Sequence, residues 1–131
     1  MKPVLLAAIG LVLSAGAASA QDQPTPAQCA AAYGAFAKLQ QGIGAQNALM
    51  TERYPAFASI DFADRVVRLA GKAEIGVTDL KTAAAADQAS DYAALIDAET
   101  EGDMDVKPVA DLARRSDSCD LAYELVPSLG G

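Results

Sequence analysis

The sequence predicts an all-α fold: a small bundle of four to six short helices, with the first and last helices linked by one disulfide. Three observations indicate this fold. Apolar residues recur at three- and four-residue intervals in several segments, and residues typical of helix ends flank those segments. The chain also has no alternating run of Val, Ile or Thr and no Asn-Gly turn of the kind that predicts a β-hairpin.

The first twenty residues, MKPVLLAAIGLVLSAGAASA, have the pattern of a secretory signal peptide. Lys2 supplies a positive charge, residues 4–13 are apolar, and Ala-Ser-Ala at 18–20 forms a cleavage site. The apolar run has ten residues, whereas a membrane-spanning helix needs about twenty. We therefore expect cleavage before Gln21, a periplasmic or secreted protein, and no stable membrane anchor after cleavage. A retained N-terminal anchor is the alternative.

Residues 21–131 are expected to form a single helical domain. This part of the chain carries nine Lys and Arg against seventeen Asp and Glu, which gives a net charge of −8. Nucleic acids and anionic membranes favour clustered positive charge, so neither is an expected partner. The charge is compatible with cationic partners.

Cys29 and Cys119 are the only cysteines in the chain. In an oxidising compartment they are expected to form one structural disulfide. A redox-active pair is the less favoured alternative, because such pairs usually lie close together, as in C-x-x-C. Each cysteine is followed four residues later by a tyrosine, Tyr33 and Tyr123. If both cysteines lie in the first turns of parallel helices, the tyrosines would meet behind the disulfide. They could equally be unrelated core residues.

The first helix has a clear start signal. Thr25 is a good N-cap, Pro26 suits the first helical position, and Gln28 completes a capping box. Gly42 and Gly44 weaken the helix, so the segment 45–54 either continues it or begins a new one. Pro55 is expected to end that segment.

Three further segments have helical periodicity. Ser59 or Asp61 is expected to cap a helix that ends at Gly76, and Thr78 is expected to cap the strongest predicted helix, 79–97. An acidic break at 101–105 precedes a short helix over 108–115. Asp117 or Ser118 is then expected to begin a last helix that runs to 126, before Pro127.

The third helix carries a charged side. Two i,i+4 pairs in the favourable order, Asp61–Arg65 and Asp64–Arg68, indicate a salt-bridged surface exposed to solvent. The alternative is a basic stripe that holds a phosphate or carboxylate, formed by Arg65, Arg68 and Lys72.

The stretch 97–108, DAETEGDMDVKP, resembles an EF-hand calcium loop over twelve residues. Asp97 stands first, Gly102 sixth and Asp105 ninth. Glu99 and Glu101 replace the usual Asp or Asn, and Pro108 replaces the bidentate Glu. A solvated acidic helix end is therefore the favoured interpretation, and calcium binding the alternative.

Five aromatic residues fall within thirty positions of the first half of the chain, and they are expected to form the core. The alternative is that they line an apolar pocket or a groove for a partner's helix. They are Tyr33, Phe36, Tyr54, Phe57 and Phe62.

The sequence carries no pattern that names a reaction. It has no histidine, which removes the common zinc motifs and His-dependent nucleophile activation. We expect no catalytic residue, no metal site and no cofactor. The leading hypothesis is a non-catalytic interaction module that contacts another envelope protein or a peptide through a helical groove. The alternatives are a small-ligand or calcium carrier, using the 97–108 loop or an aromatic-lined pocket, and a periplasmic stress-protective holdase.

Overall fold

A computed structural model describes residues 23–42 and 47–130. Within these ranges the chain forms helices and no strand, which confirms the all-α prediction. The elements are α1 (Pro26–Gly42), α2 (Ala48–Arg53), a 3₁₀ helix (Pro55–Ser59), α3 (Phe62–Ala73), α4 (Val77–Glu101) and α5 (Lys107–Tyr123). In this part of the chain, no helix has both the length and the hydropathy needed to cross a bilayer. The predicted signal peptide and the question of whether α1 continues past Gly42 lie outside the described residues.

The predicted capping box begins α1. The backbone N–H of Gln28 donates to Thr25 Oγ1 at 3.2 Å, and the backbone N–H of Thr25 donates to Gln28 Oε1 at 2.9 Å. These reciprocal bonds satisfy two backbone donors that a helix start would otherwise leave without partners. The local sequence alone therefore determines where α1 starts.

One side chain of α1 forms hydrogen bonds with the 3₁₀ helix and with the residue that follows it. Pro55, which was expected to close the preceding segment, begins this short helix. The amide of Gln40 donates to the carbonyl oxygens of Phe57 and Ile60, at 3.1 and 2.7 Å. Because Gln40 belongs to α1, these bonds fix the position of the connection between α2 and α3.

The end of α3 differs from the prediction. Asp61 caps the start as expected, but the left-handed residue at the end is Glu74, with φ of 57°, and not Gly76. The N–H of Ile75 bonds to Ala70 O at 3.0 Å, the bond of a Schellman motif, and Ile75 packs on the core. Ile75 is partly buried at this end, and Glu74 adopts the left-handed conformation, although glycine would adopt it with less strain.

Helix α4 is longer at both ends than predicted. Gly76, in an extended conformation, is its N-cap, so Thr78 lies inside the helix. Its C-terminus is Glu101, and Gly102 follows with φ of 76°. The predicted acidic break therefore begins one residue later than expected.

Helix α5 is one continuous element where two were expected. Asp117 and Ser118 resemble N-caps in the sequence, yet they lie within the helix. The buried side of the helix continues across the predicted break through Leu112, Ser116 and Cys119, at intervals of three and four residues. Tertiary packing of this side outweighs the preference of Asp and Ser for helix starts.

The core lies around α1, which contacts α3, α4 and α5. The clustered aromatic side chains form part of this core, as expected. Phe62 stands at their centre, with its ring centroid 5.0 Å from that of Phe36, 5.8 Å from Phe57 and 6.2 Å from Tyr33. All four rings are fully buried. Aromatic contacts of this kind add stability beyond the burial of their area.

Candidate binding surfaces

The predicted disulfide is present and lies at one end of the bundle. Cys29 and Cys119 are bonded with their Cα atoms 5.7 Å apart, and both side chains are fully buried. Cys29 lies in the first turn of α1, as expected. Cys119 lies near the end of α5, because α5 begins at Lys107. The bond therefore joins the start of α1 to the end of α5, and not two helix starts.

The hypothesis that the two tyrosines meet behind the disulfide is wrong. Tyr33 is fully buried and donates a hydrogen bond of 2.5 Å to Asp120 Oδ1, while its ring lies near Phe62. Tyr123 is half-buried, and no ring contact between it and Tyr33 is present in the described part of the chain. Since Cys119 reaches α1 from the end of α5, the neighbouring Asp120 faces Tyr33.

Arg65 joins Tyr33 and Asp120 in a buried polar network. Its Nη1 donates to Asp120 Oδ1 at 3.1 Å and to the carbonyl oxygen of Pro127 at 2.7 Å. The side chains of Arg65 and Asp120 are each only 3% exposed. The predicted solvent-exposed pair with Asp61 is therefore wrong. Asp61 instead accepts a hydrogen bond from the backbone of Asp64, and the expected Asp64–Arg68 pair is also absent from the described ion pairs.

Burial determines the protonation of this network. It raises the pKa of Tyr33, and the hydrogen bond to Asp120 raises it further, so the phenol keeps its proton and donates. Burial also raises the pKa of Asp120, against the opposing effect of the hydrogen bond from Tyr33 and the charge of Arg65. Asp120 Oδ2 and Ser116 Oγ are buried without a hydrogen-bond partner among the described residues. Asp120 thus retains an unused acceptor.

The chain after α5 folds back on the bundle beside this network. Leu125 and Leu129 are buried, and the backbone N–H of Gly130 donates to Asp117 Oδ1 at 3.0 Å. Between this tail and α5 lies a groove of about 360 Å³, here called the C-terminal groove. Its walls consist of seven residues: Asp117, Asp120, Leu121, Glu124, Leu125, Val126 and Ser128.

Two large apolar side chains of the C-terminal groove face solvent. Leu121 is 84% exposed and Val126 is 73% exposed. Asp117 and Glu124 add two carboxylates, and neither forms an ion pair within the described ranges. The groove therefore combines exposed apolar surface with uncompensated negative charge.

A second groove lies where α1 meets α3 and α4, and we call it the three-helix groove. It has a volume of about 340 Å³. Its charged residues are both basic, and the rest are amides or small side chains: Gly34, Ala37, Lys38, Gln41, Ala63, Val66, Lys81, Ala85, Gln88 and Ala89. The two grooves thus differ in the sign of their charge.

The stretch 97–108 does not form a calcium loop. Its first five positions belong to α4, so the side chains of Asp97, Glu99 and Glu101 project from a helix. Glu99 accepts a hydrogen bond from Asn47, and Asp105 pairs with Arg53 at 3.2 Å. In residues 23–42 and 47–130, no three His, Cys, Asp or Glu side chains are grouped in a way that could hold a metal ion.

The sequence did not point to the residues that characterise these surfaces. The side chain of Asp120 is buried on α5. Its position in the sequence, directly after Cys119, does not indicate this burial. Lys38 and Lys81 are 43 positions apart and have no shared motif. Only the assembly of α1, α3 and α4 places them in one groove.

Comparison of the chain with protein-family models, with curated proteins and with solved structures found no match. The chemistry available for a function lies in these two grooves. The C-terminal groove offers apolar side chains and carboxylates, and the three-helix groove offers ammonium groups and amides.

Proposed function

We propose that this protein is a non-catalytic interaction module that binds a segment of another envelope protein, or a peptide, in the C-terminal groove. The observation that supports this most directly is the exposure of Leu121 and Val126 beside that groove. Among the described residues only one other large apolar side chain is substantially exposed, Val67 at 49%.

A single exposed apolar residue is normal on a protein surface, but two beside one groove are less common. Leu125 adds a buried apolar residue to the groove lining. A partner side chain that enters the groove would cover apolar area worth about 25 cal/mol per Å². Binding would therefore cover the two apolar side chains that remain exposed in the folded protein.

The charge of the groove selects the kind of segment that fits. Asp117 and Glu124 lie in the groove wall, and Asp120 adds a buried carboxylate whose Oδ2 has no partner in the described chain. Arg65 balances one of these three negative charges. A segment with a lysine or arginine next to an apolar side chain would satisfy both features of the groove, because electrostatic complementarity contributes to specificity.

The proposed location is the periplasm or the medium. A buried disulfide between distant residues is typical of proteins that fold under oxidising conditions. The signal-peptide pattern of residues 1–20 supports the same location. Cell fractionation and the intact mass of the recovered protein test this. A mature chain that begins at Gln21 is expected, and a reduced full-length chain in the cytoplasm would contradict it.

The binding proposal is tested by recovering partners with three forms of the tagged mature protein. The parent is compared with a Leu121→Ser/Val126→Ser variant and with a Val67→Ser control, which also removes an exposed apolar side chain but lies outside the groove. The expected result is a protein or peptide recovered by the parent and the control and lost with the double variant. Its affinity should also fall as salt is raised. Equal recovery by all three forms would overturn the proposal.

A further inference from the structure

We infer that the cleft in which the C-terminal tail lies is a binding site for the same tail of a second copy of the chain, so that two copies exchange tails. The tail is defined here as residues 125–130. This inference goes beyond the interaction proposed above, because every contact that it uses belongs to the chain itself.

The bundle holds the tail as it would hold a separate peptide. Arg65 Nη1 donates to the carbonyl oxygen of Pro127 at 2.7 Å, and Asp117 Oδ1 accepts from the backbone N–H of Gly130 at 3.0 Å. The side chains of Leu125 and Leu129 are buried. Hydrogen bonds to the main chain together with buried side chains are a recurring mode of peptide recognition. These contacts do not require that the tail belong to the same copy.

The surface that receives the tail is built from other parts of the chain. Leu129 and Gly130 share a cleft with residues 53–56, at the end of α2 and the start of the 3₁₀ helix. Arg65 belongs to α3, and Asp117 belongs to α5. A second copy therefore presents the same receiving surface.

A single residue, Glu124, turns the chain from α5 into the tail. Its φ of 53° and ψ of 48° place it in the left-handed conformation, which is strained for a residue with a side chain. The sequence pattern predicts a helix as far as 126, so it favours the right-handed conformation at this position. Opening of the hinge at Glu124 would relieve the strain. Short, strained hinges favour the exchange of segments between copies.

Exposed apolar side chains lie on both sides of this hinge. Leu121 precedes Glu124 and Val126 follows it, and both are mostly exposed. In an exchanged dimer the two chains cross at the hinge, which brings these residues of both copies together. Burial of their apolar area favours the dimer over two closed monomers. A bound partner would cover the same residues, so partner binding and exchange would compete.

Negative charge near the hinge opposes the exchange. Asp117 and Glu124 lie close to it, and a dimer brings the carboxylates of both copies together. Salt screens this repulsion. The dimer should therefore become more populated as salt is raised, whereas the affinity for a cationic partner should fall.

A pair of thiols placed across the tail contact can trap the exchange. A Cβ atom at position 130 would lie against the side chain of Asp117, so thiols at these two positions meet when the tail is docked. One full mature chain carries Asp117→Cys and another carries Gly130→Cys, so neither can form this bond within itself. The two are mixed at high concentration in mild urea and high salt, returned to buffer and oxidised by air. The expected product is a disulfide-linked heterodimer, identified by its mass.

The matched control replaces Asp117→Cys with Asp87→Cys, an exposed position of α4. That helix contributes no residue to the tail contacts described above. Random encounters of exposed thiols give some heterodimer in both mixtures. The docked tail should raise the yield with Asp117→Cys well above that of the control.

Two glycine substitutions test the hinge. Glu124 and Glu74 are the described non-glycine residues with positive φ. Glu124→Gly removes the strain from the closed hinge, so the association constant of the dimer should fall at least roughly tenfold. Glu74→Gly makes the same change at the end of α3, which the exchange leaves in place, and should alter the constant by less than about twofold. Size-exclusion chromatography with light scattering measures both variants at high salt, where the charge of Glu124 is screened.

Three results would overturn the inference. The parent remains monomeric at millimolar concentration, or the two thiol mixtures give equal amounts of heterodimer, or the two glycine substitutions change the association constant equally. Circular dichroism checks that each variant is folded. These measurements use the purified chain alone, so their outcome does not depend on whether a partner is recovered in the experiment proposed above.

Discussion

The end of the bundle where α1 begins and the outer side of α4 are stabilised in different ways. At the first, which we call the clasped end, a disulfide, a buried ion pair and a docked tail surround the start of α1. Helix α4 has 25 residues, of which only four are buried, whereas α1 has ten buried residues among 17. Several alanines of α4 face solvent instead.

This difference shows how an alanine-rich bundle obtains stability and specificity. Alanine favours helices and allows them to approach closely, but it buries little area per residue. At the clasped end, covalent and polar contacts add stability. Along α4, the small side chains bury little area and add less. Substitutions at the clasped end should therefore have large effects, and those on the outer side of α4 should have small ones.

Removal of the disulfide should cause the largest loss. A Cys29→Ala/Cys119→Ala variant opens a loop with a sequence separation of 90 residues. The chain-entropy model gives a loss of about 4–5 kcal/mol in the free energy of unfolding for a loop of this length. Urea unfolding followed by circular dichroism measures it. The parent with reductant added should show a similar loss, and a variant as stable as the oxidised parent would contradict the importance of the clasped end.

Asp120→Ala should cause the next largest loss in the free energy of unfolding. It leaves the guanidinium of Arg65 buried without its carboxylate partner, and breaking a buried ion pair in this way costs about 3–5 kcal/mol. The matched control is Asp87→Ala, the same change at an exposed position of α4, which should stay within about 0.5 kcal/mol. Urea unfolding of both variants measures the two losses in the free energy of unfolding. Equal losses would show that the clasped end is no more sensitive to substitution than the outer side of α4.

Tyr33→Phe should have a smaller effect that depends on pH. The variant loses the hydrogen bond to Asp120, worth about 1.5–3 kcal/mol near neutral pH because its acceptor is charged. The pKa of Tyr33 is raised in the folded state, so the parent should lose stability as pH rises above the ordinary tyrosine value of about 10.

The variant lacks this tyrosine, so the stability difference between parent and variant should shrink between about pH 9 and 11. Urea unfolding across this range provides the measurement. A difference that stays constant with pH would mean that Tyr33 does not keep its proton in the folded state.

Ala86→Gln should have the smallest effect. Ala86 is exposed on α4, and glutamine is also a good helix former, so the free energy of unfolding should change by less than about 0.5 kcal/mol. Thermal unfolding detects such a change as a small shift in Tm. A loss as large as that of Tyr33→Phe would show that the outer side of α4 makes a contact that its exposure does not indicate.

Sequence reasoning succeeded where the cause of a feature is local. The reciprocal bonds of Thr25 and Gln28 and the cap at Asp61 depend on residues three positions apart. The disulfide also followed, since the chain offers only one intramolecular pairing. These features require no knowledge of how the helices are arranged.

It failed where distant packing decides between local alternatives. Arg65 had an acidic residue four positions before it, yet it pairs with Asp120, 55 positions away. Likewise, α3 ends at Glu74, with Ile75 packed on the core, although Gly76 is the better residue for that conformation. The two grooves depend on which sides of the helices meet, and no short-range pattern records this.

The closure of α1 by α5 has a consequence for the order of folding. Because the chain is made from its N-terminus, α1 emerges well before Cys119, Asp120 and Pro127, which complete its surroundings. Contacts across such long separations form late and slowly. The disulfide and the buried polar contacts at the start of α1 can therefore form only after nearly the entire chain has been made. This late completion is compatible with the export proposed above.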